Sequence, residues 1–276
     1  MSQFSGYYLY MKNLYDTIIA NDTIDGHIHL FDHSGVIDSS LIDTSKRCVC
    51  FSDISFRYID NYKGDGIIAI YDEFINKFYD PSRHILLATG ENAKDIIAVY
   101  ERYPDKIKGF GELKCYSDYM HGKLPYGNLD WIRPVLDYNK DLGLPVYIHY
   151  NLEDLKRVAD LAYLLKEYDF PIVLCHCGMY DECDNYLIHE TIIDLMNSHD
   201  NLYVDISYVA SDFYIKNINK LLELNSSKVI IGTDANPAMG RVIDDPIEHS
   251  NELYDKFNRL NKLGNFNYNI KKLFIK

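Results

Sequence analysis

The chain has 276 residues, 47% hydrophobic and 25% charged, an ordinary globular balance with ample material for a core. A formal net charge of -13 and a pI near 5.1 argue against nucleic-acid backbones and anionic membranes as partners, since no basic patch offsets them. Six cysteines, no apolar window near the ~20 residues of a membrane span, and an opening stretch (MSQFSGYYLYMKNLY) without a basic leader or apolar run lead us to expect a cytoplasmic protein with reduced thiols.

In chain order, an amphipathic segment at residues 8–20 precedes the first strand candidate, IDGHIHLF (24–31). RCVCFSDI (47–54) is the second, with a helical pattern at 66–79, and HILLATG (84–90) the third, with a helix at 95–103. IKGFGELKC (107–115) is the fourth, and its helix at 128–143 ends on a glycine stop. PVYIHY (145–150) leads to a helix at 152–168, and PIVLCHCG (171–178) to one at 186–198. NLYVDISY (201–208) leads to a helix at 213–224, and KVIIGTDAN (228–236) to one beginning near Pro246. Short β-branched runs alternating with helical periodicity predict βα units and a parallel sheet. Eight such strands close a (β/α)8 TIM barrel of the α/β class, and no linker or repeat divides the chain, so one domain over residues 1–276 is expected.

Active sites of such barrels lie at the C-terminal ends of the strands. His27 and His29 are two apart on the first strand and share a face. Glu112, His149, His176, Asp205 and Asp234 each fall near the C-terminal end of their own strand. Imidazoles and carboxylates bind Zn²⁺ or a similar divalent ion at ~2.0–2.2 Å, and an open position takes a water that ionises near neutral pH. Each residue also has a plainer reading. The histidine pair could be solvated at a strand end, Glu112 could be an ion-paired support, and His149 and His176 could be core histidines. Asp234, after Gly232 and Thr233, could cap a helix. Asp205 could touch substrate or support a ligand, His33 reads as a loop residue, and Asp25 as a support deeper in the barrel.

Lys114 shares a face with Glu112 and could hold a substrate carboxylate, with Arg57, Arg241 and Tyr150 as weaker substrate-binding candidates. Cys175, Cys177 and Cys183 surround His176 as a structural zinc set would. Strand alternation opposes that, by turning Cys175 and Cys177 away from His176 toward the outer helices.

DGHIHL, GFGELK, YIHY, LCHCG, YVDIS and IGTD, in this order from Asp25 to Asp234, resemble the amidohydrolase superfamily. The likeness is strongest to its amidohydrolase-related branch of TIM-barrel metal-dependent hydrolases and decarboxylases, and NIKKLF (269–274) resembles that branch's closing helix. The resemblance implies that His27, His29 and Asp234 bind a first metal, and that His149 binds it or a second one. It makes Glu112 a bridging or second-metal ligand. His176 would be a second-metal ligand or hydrogen-bond the attacking water and reacting oxygen, and Asp234 would double as general base. One or two divalent ions are implied, Zn²⁺ first and Mn²⁺ as the alternative. The implied activity is hydrolysis of an amide, lactone or ester bond in a small polar substrate, with metal-dependent decarboxylation as the alternative. A TatD-type nuclease is a further alternative that the charge of -13 opposes, and a non-catalytic metabolite-binding barrel is one that the intact motif set opposes. The expected partners are a small molecule and, as the commonest assembly, a second copy of the chain.

Overall fold

The computed structural model describes residues 24–32, 48–53, 66–90, 92–115, 128–179, 185–234, 259–260 and 266–274. Its strands are β1 (Asp25–Asp32), β2 (Cys48–Asp53), β3 (His84–Ala88), β4 (Ile107–Lys114), β5 (Val146–His149), β6 (Ile172–Leu174), β7 (Leu202–Ile206) and β8 (Val229–Ile231). Each pairs in parallel with the next, so spatial order equals chain order. Parallel neighbours require crossovers. Those described are α1 (Gly66–Lys77), α2 (Ala93–Arg102), α3 (Arg133–Asn139), α4 (Leu155–Glu167), α5 (Asn185–Ser198), α6 (Val209–Lys216) and α7 (Ile218–Leu221), with α8 (Phe266–Phe274) last. Local chemistry sets their starts: Asn92 caps α2 by accepting from the Asp95 amide at 3.0 Å, and Asp154 caps α4 through the Arg157 amide at 2.8 Å.

The end of β8 returns to β1. The Asp234 amide donates to the His27 carbonyl at 2.8 Å, and a Cβ on Gly232 would stand 2.5 Å from the His27 nitrogen. Only glycine admits that approach, and it closes the sheet into the TIM barrel expected from the strand count.

Strand alternation divides the apolar residues into two layers. Leu86, Phe110, Ile148, Leu174, Val204 and Ile231 face outward and pack against the helices. Leu87, Tyr147, Val173, Tyr203 and Ile230 face inward, where Ile270 and Leu273 of α8 join them. Phe274 stacks on Tyr147 with ring centroids 6.3 Å apart, and Asn269 donates to the carbonyls of Ser226 and Val229. Thus α8, which contains the NIKKLF motif, seals the end of the barrel where the strands begin. The opposite end is left for the polar residues.

Several boundaries differ from expectation. β6 stops at Leu174 rather than running through Gly178, because His176 (φ 53°) and Cys177 (φ 51°) adopt left-handed backbone. The helical region after β7 starts earlier than expected, as α6 and α7. A 3-10 turn at Asp130–Ile132 precedes α3. The expected helix at 8–20 and the helix start near Pro246 lie outside the described residues. No helix among the described residues is long and apolar enough to cross a membrane.

His84, at the start of β3, is buried, and its Nδ1 accepts the Asp80 amide at 3.1 Å. That acceptor role requires a neutral ring. Burial first, and the neighbouring Arg83 charge second, push its pKa down to about 4. Because the folded value lies below the unfolded one, the stability contribution is complete above the unfolded value and is lost as pH falls toward the folded one. From pH 7.5 to 4 the wild type should lose about 3 kcal/mol more unfolding free energy than His84→Gln. Urea titrations of both proteins across that range check this, and parallel curves would refute it.

Candidate metal centre

Every side chain in the centre is carried by a strand or by the turn just beyond one. His27 and His29 project inward from β1, Glu112 from β4 and His149 from β5, while Asp205 is on β7 and Asp234 follows β8. All but His149 are at least nine-tenths buried. His176 arrives by a different route. With Leu174 facing outward, an unbroken strand would send His176 outward too; the left-handed turn at His176 and Cys177 swings it inward instead.

The centre of the arrangement is a triangle of donors. His27 Nε2 lies 3.3 Å from His29 Nε2, and Asp234 Oδ1 stands 3.3 Å from the first and 3.2 Å from the second. Tetrahedral ligands at ~2.0–2.1 Å from one ion are about 3.3 Å apart, so these edges match one cation's ligand shell. The tautomer of His27 agrees. Its Nδ1 lies 2.5 Å from Asp205 Oδ2, and a carboxylate only accepts, so that nitrogen carries the proton. In the neutral ring, Nε2 is then a lone pair aimed at another nitrogen and a carboxylate oxygen, an arrangement that needs a positive charge in its midst.

Glu112 faces the triangle from across the barrel. Its Oε2 lies 3.6 Å from His29 Nε2, and its Oε1 lies 3.6 Å from His176 Nε2 and 2.6 Å from His149 Nδ1. His27, Glu112 and His176 form a second group of close donors, whereas His149 reaches the cluster through its bond to Glu112. Beneath the triangle, Asp25 accepts from the amides of His27 (3.1 Å) and Thr233 (3.0 Å) and from the Thr233 hydroxyl (2.6 Å). It is the deeper support that its place in the sequence suggests.

The electrostatics follow from crowding carboxylates into a buried space. Burial works against a charged His27, but Asp205 and Asp234 outweigh it and raise its pKa to about 10. Burial would raise Asp234, yet His27 and the His29 hydrogen bond hold it at about 2. Burial would likewise raise Glu112, and the His149 and His176 contacts keep it well below the carboxylate range. Burial lowers His149 against the pull of Glu112. Asp25 is lifted by burial to about 6.

Several candidates land elsewhere. Asp205 is fully buried behind His27 and also accepts from the Ser207 hydroxyl at 2.8 Å. Tyr150 is turned outward into the sheet–helix layer, one residue past the inward-facing His149, with the Arg157 guanidinium 5.0 Å over its ring. Lys114 does stand at the mouth, paired across the sheet with His149. Cys177 faces the outer layer as expected, but Cys175 faces inward with Val173, and its sulfur is near His27 and Asp205. Alternation counted from His176 turns Cys175 the wrong way, because His176 has left the strand. Arg57, Arg241, His33 and Cys183 lie outside the described residues.

Two functional neighbours escape the sequence reading. Ser207 joins Asp205 to His176, with its Oγ 2.9 Å from His176 Nδ1, and its place two residues past Asp205 on the same face was a usable signal. Tyr208 stands edge-on to His176 with ring centroids 5.9 Å apart, and nothing in its local sequence marks it.

A family model described as Amidohydrolase matches residues 69–249, well over half of the chain. That span includes Glu112, His149, His176, Asp205 and Asp234, but begins after β1 and its two histidines. No curated protein matches the sequence. Among solved structures the chain is similar to an amidohydrolase from Burkholderia multivorans with bound Zn (11% identity, TM-score 0.57, covering 91% of this chain and 98% of that one). It is similar to dihydroorotase from Campylobacter jejuni (18% identity, TM-score 0.52, 91% and 82%). It is also similar to 2,6-dihydroxybenzoate decarboxylase from Rhizobium (12% identity, TM-score 0.50, 91% and 98%). At these identities the likeness is one of fold.

Replacing Asp205 by Asn keeps the volume but removes the charge that orients His27. Zn²⁺ affinity, measured by competition with a chromogenic chelator, should fall about 10–100-fold with the circular dichroism unchanged. Unaltered affinity would show that Asp205 does not buttress the centre.

Proposed function

The chain belongs to the amidohydrolase family, and from that premise we propose a divalent-metal-dependent hydrolase that directs water onto an amide, lactone or ester bond of a small polar substrate. The observation that carries this reading is the triangle of His27, His29 and Asp234, whose 3.2–3.3 Å edges suit one ion. Glu112 and His176, at 3.6 Å, offer a wider second position. Nitrogen and oxygen donors together favour Zn²⁺, with Mn²⁺ next, and such an ion supplies Lewis acidity and acidifies a neighbouring water.

The rest is done by side chains. Asp234 has an oxygen in the triangle and is the carboxylate at the β8 end best placed to take the water proton and return it to the leaving group. His27 is kept in orientation by Asp205, and Glu112 fixes His149 at the rim. Lys114, opposite His149, can hold a carboxylate of the substrate. A small substrate bearing a carboxylate fits Lys114 better than a nucleic acid fits a chain of charge -13.

Decarboxylation is the second reading, and Lys114 favours it too, since a carboxylate held there could be the group that leaves. The two separate by product. Reconstituted with Zn²⁺ or Mn²⁺ and assayed on lactones, esters, cyclic amides and aromatic carboxylates, a hydrolase incorporates ¹⁸O from labelled water, whereas a decarboxylase releases CO₂ without it. Asp234→Asn should lower turnover about 10²–10⁴-fold. If protein purified and then incubated with either ion retains no stoichiometric metal, the proposal fails.

A further inference from the structure

We propose that Ser207 is a positioning residue that sets which nitrogen of His176 carries the proton, and thereby which nitrogen faces the reaction. The assignment follows from hydrogen-bond directions. The Asp205 carboxylate can only accept, and Ser207 donates its one hydroxyl proton to Asp205 Oδ2 at 2.8 Å. The Ser207 oxygen therefore has only lone pairs to offer His176 Nδ1 at 2.9 Å. The Ser207 carbonyl oxygen, 3.3 Å from the same nitrogen, is also only an acceptor. Two acceptors facing one ring nitrogen require an N–H there. Neutral His176 is thus the Nδ1–H tautomer, with the Nε2 lone pair turned toward Glu112 Oε1 at 3.6 Å.

His27 is set in the same sense by the same carboxylate, through its 2.5 Å bond to Asp205 Oδ2. One buried Asp205 therefore orients two histidines from distant parts of the barrel, one directly and one through Ser207. The backbone holds the relay in place: His176, Cys177 and Tyr208, which flanks Ser207, all have φ between 50° and 53°, rare for residues other than glycine. For the reaction this deepens, and rests on, the reading of the site as a hydrolytic metal centre. Neutral His176 accepts through Nε2, taking either a cation or a proton, and cannot donate a hydrogen bond to the reacting oxygen.

The test is ring ¹⁵N spectroscopy of the full-length protein labelled in histidine, with His176 assigned through His176→Gln. Spectra are taken with and without one equivalent of Zn²⁺, at a pH where the ring is neutral. The wild type should carry the His176 proton on Nδ1. Ser207→Thr, which keeps a hydroxyl, should preserve that signal. Ser207→Ala should shift it or speed its exchange with solvent, and weaken Zn²⁺ binding and turnover about 10–100-fold, with Ser207→Thr recovering both. A wild-type proton on Nε2 overturns the proposal, as does a Ser207→Ala protein matching the wild type in ring signals and Zn²⁺ affinity. An Nδ1 proton in a protein that binds no metal would sink the hydrolase reading and leave the Ser207 assignment standing.

Discussion

The 2.5 Å contact between His27 Nδ1 and Asp205 Oδ2, with both side chains fully buried, is the constraint on which the centre depends. It fixes the rotation of the His27 ring and the position of its proton, and so aims Nε2 at His29 and Asp234. It also ties β1 to β7, across β8, so the ring can keep its aim only if the barrel is closed. Closure in turn needs Gly232, because a side chain there would strike the His27 backbone. An unpaired buried carboxylate would cost several kcal/mol, which makes Asp205 a support that works only with its partners in place.

Charge then decides what the cluster can hold. Glu112, Asp205 and Asp234 are carboxylates within a few ångströms of four imidazoles, and none has bulk water to screen it. A divalent ion among the same atoms would balance them. Deeper in the barrel Asp25 is handled differently, with three hydrogen bonds in place of a cation. The graded treatment, hydrogen bonds below and cation-demanding lone pairs above, separates support from chemistry within one small volume.

Much of this was legible in the sequence, because strand ends leave a periodic trace. The eight apolar runs and the carboxylates and histidines at their C-terminal ends could be read from alternation and spacing alone, and those residues do converge. Reading broke down where the backbone left the strand. His176 lies inward only through a left-handed turn that alternation cannot foresee, so alternation puts Cys175 on the wrong face. Adjacency to His149 does not bring Tyr150 to the site, because one step along a strand reverses the side chain. Asp205 was visible as a candidate, but its role depends on a partner nearly 180 residues away in the chain. Tyr208 owes its position to backbone strain with no local signature.

The donor triangle straddles the seam of the barrel. Two of its corners are on β1 and the third follows β8, the first and last strands of the sheet. A cation bound there is a rivet through the joint between the first and last staves. Its binding energy would fall on the closed barrel alone, since an open one separates the corners. In this fold a cation held by those three side chains would also be the fastener that keeps the barrel shut.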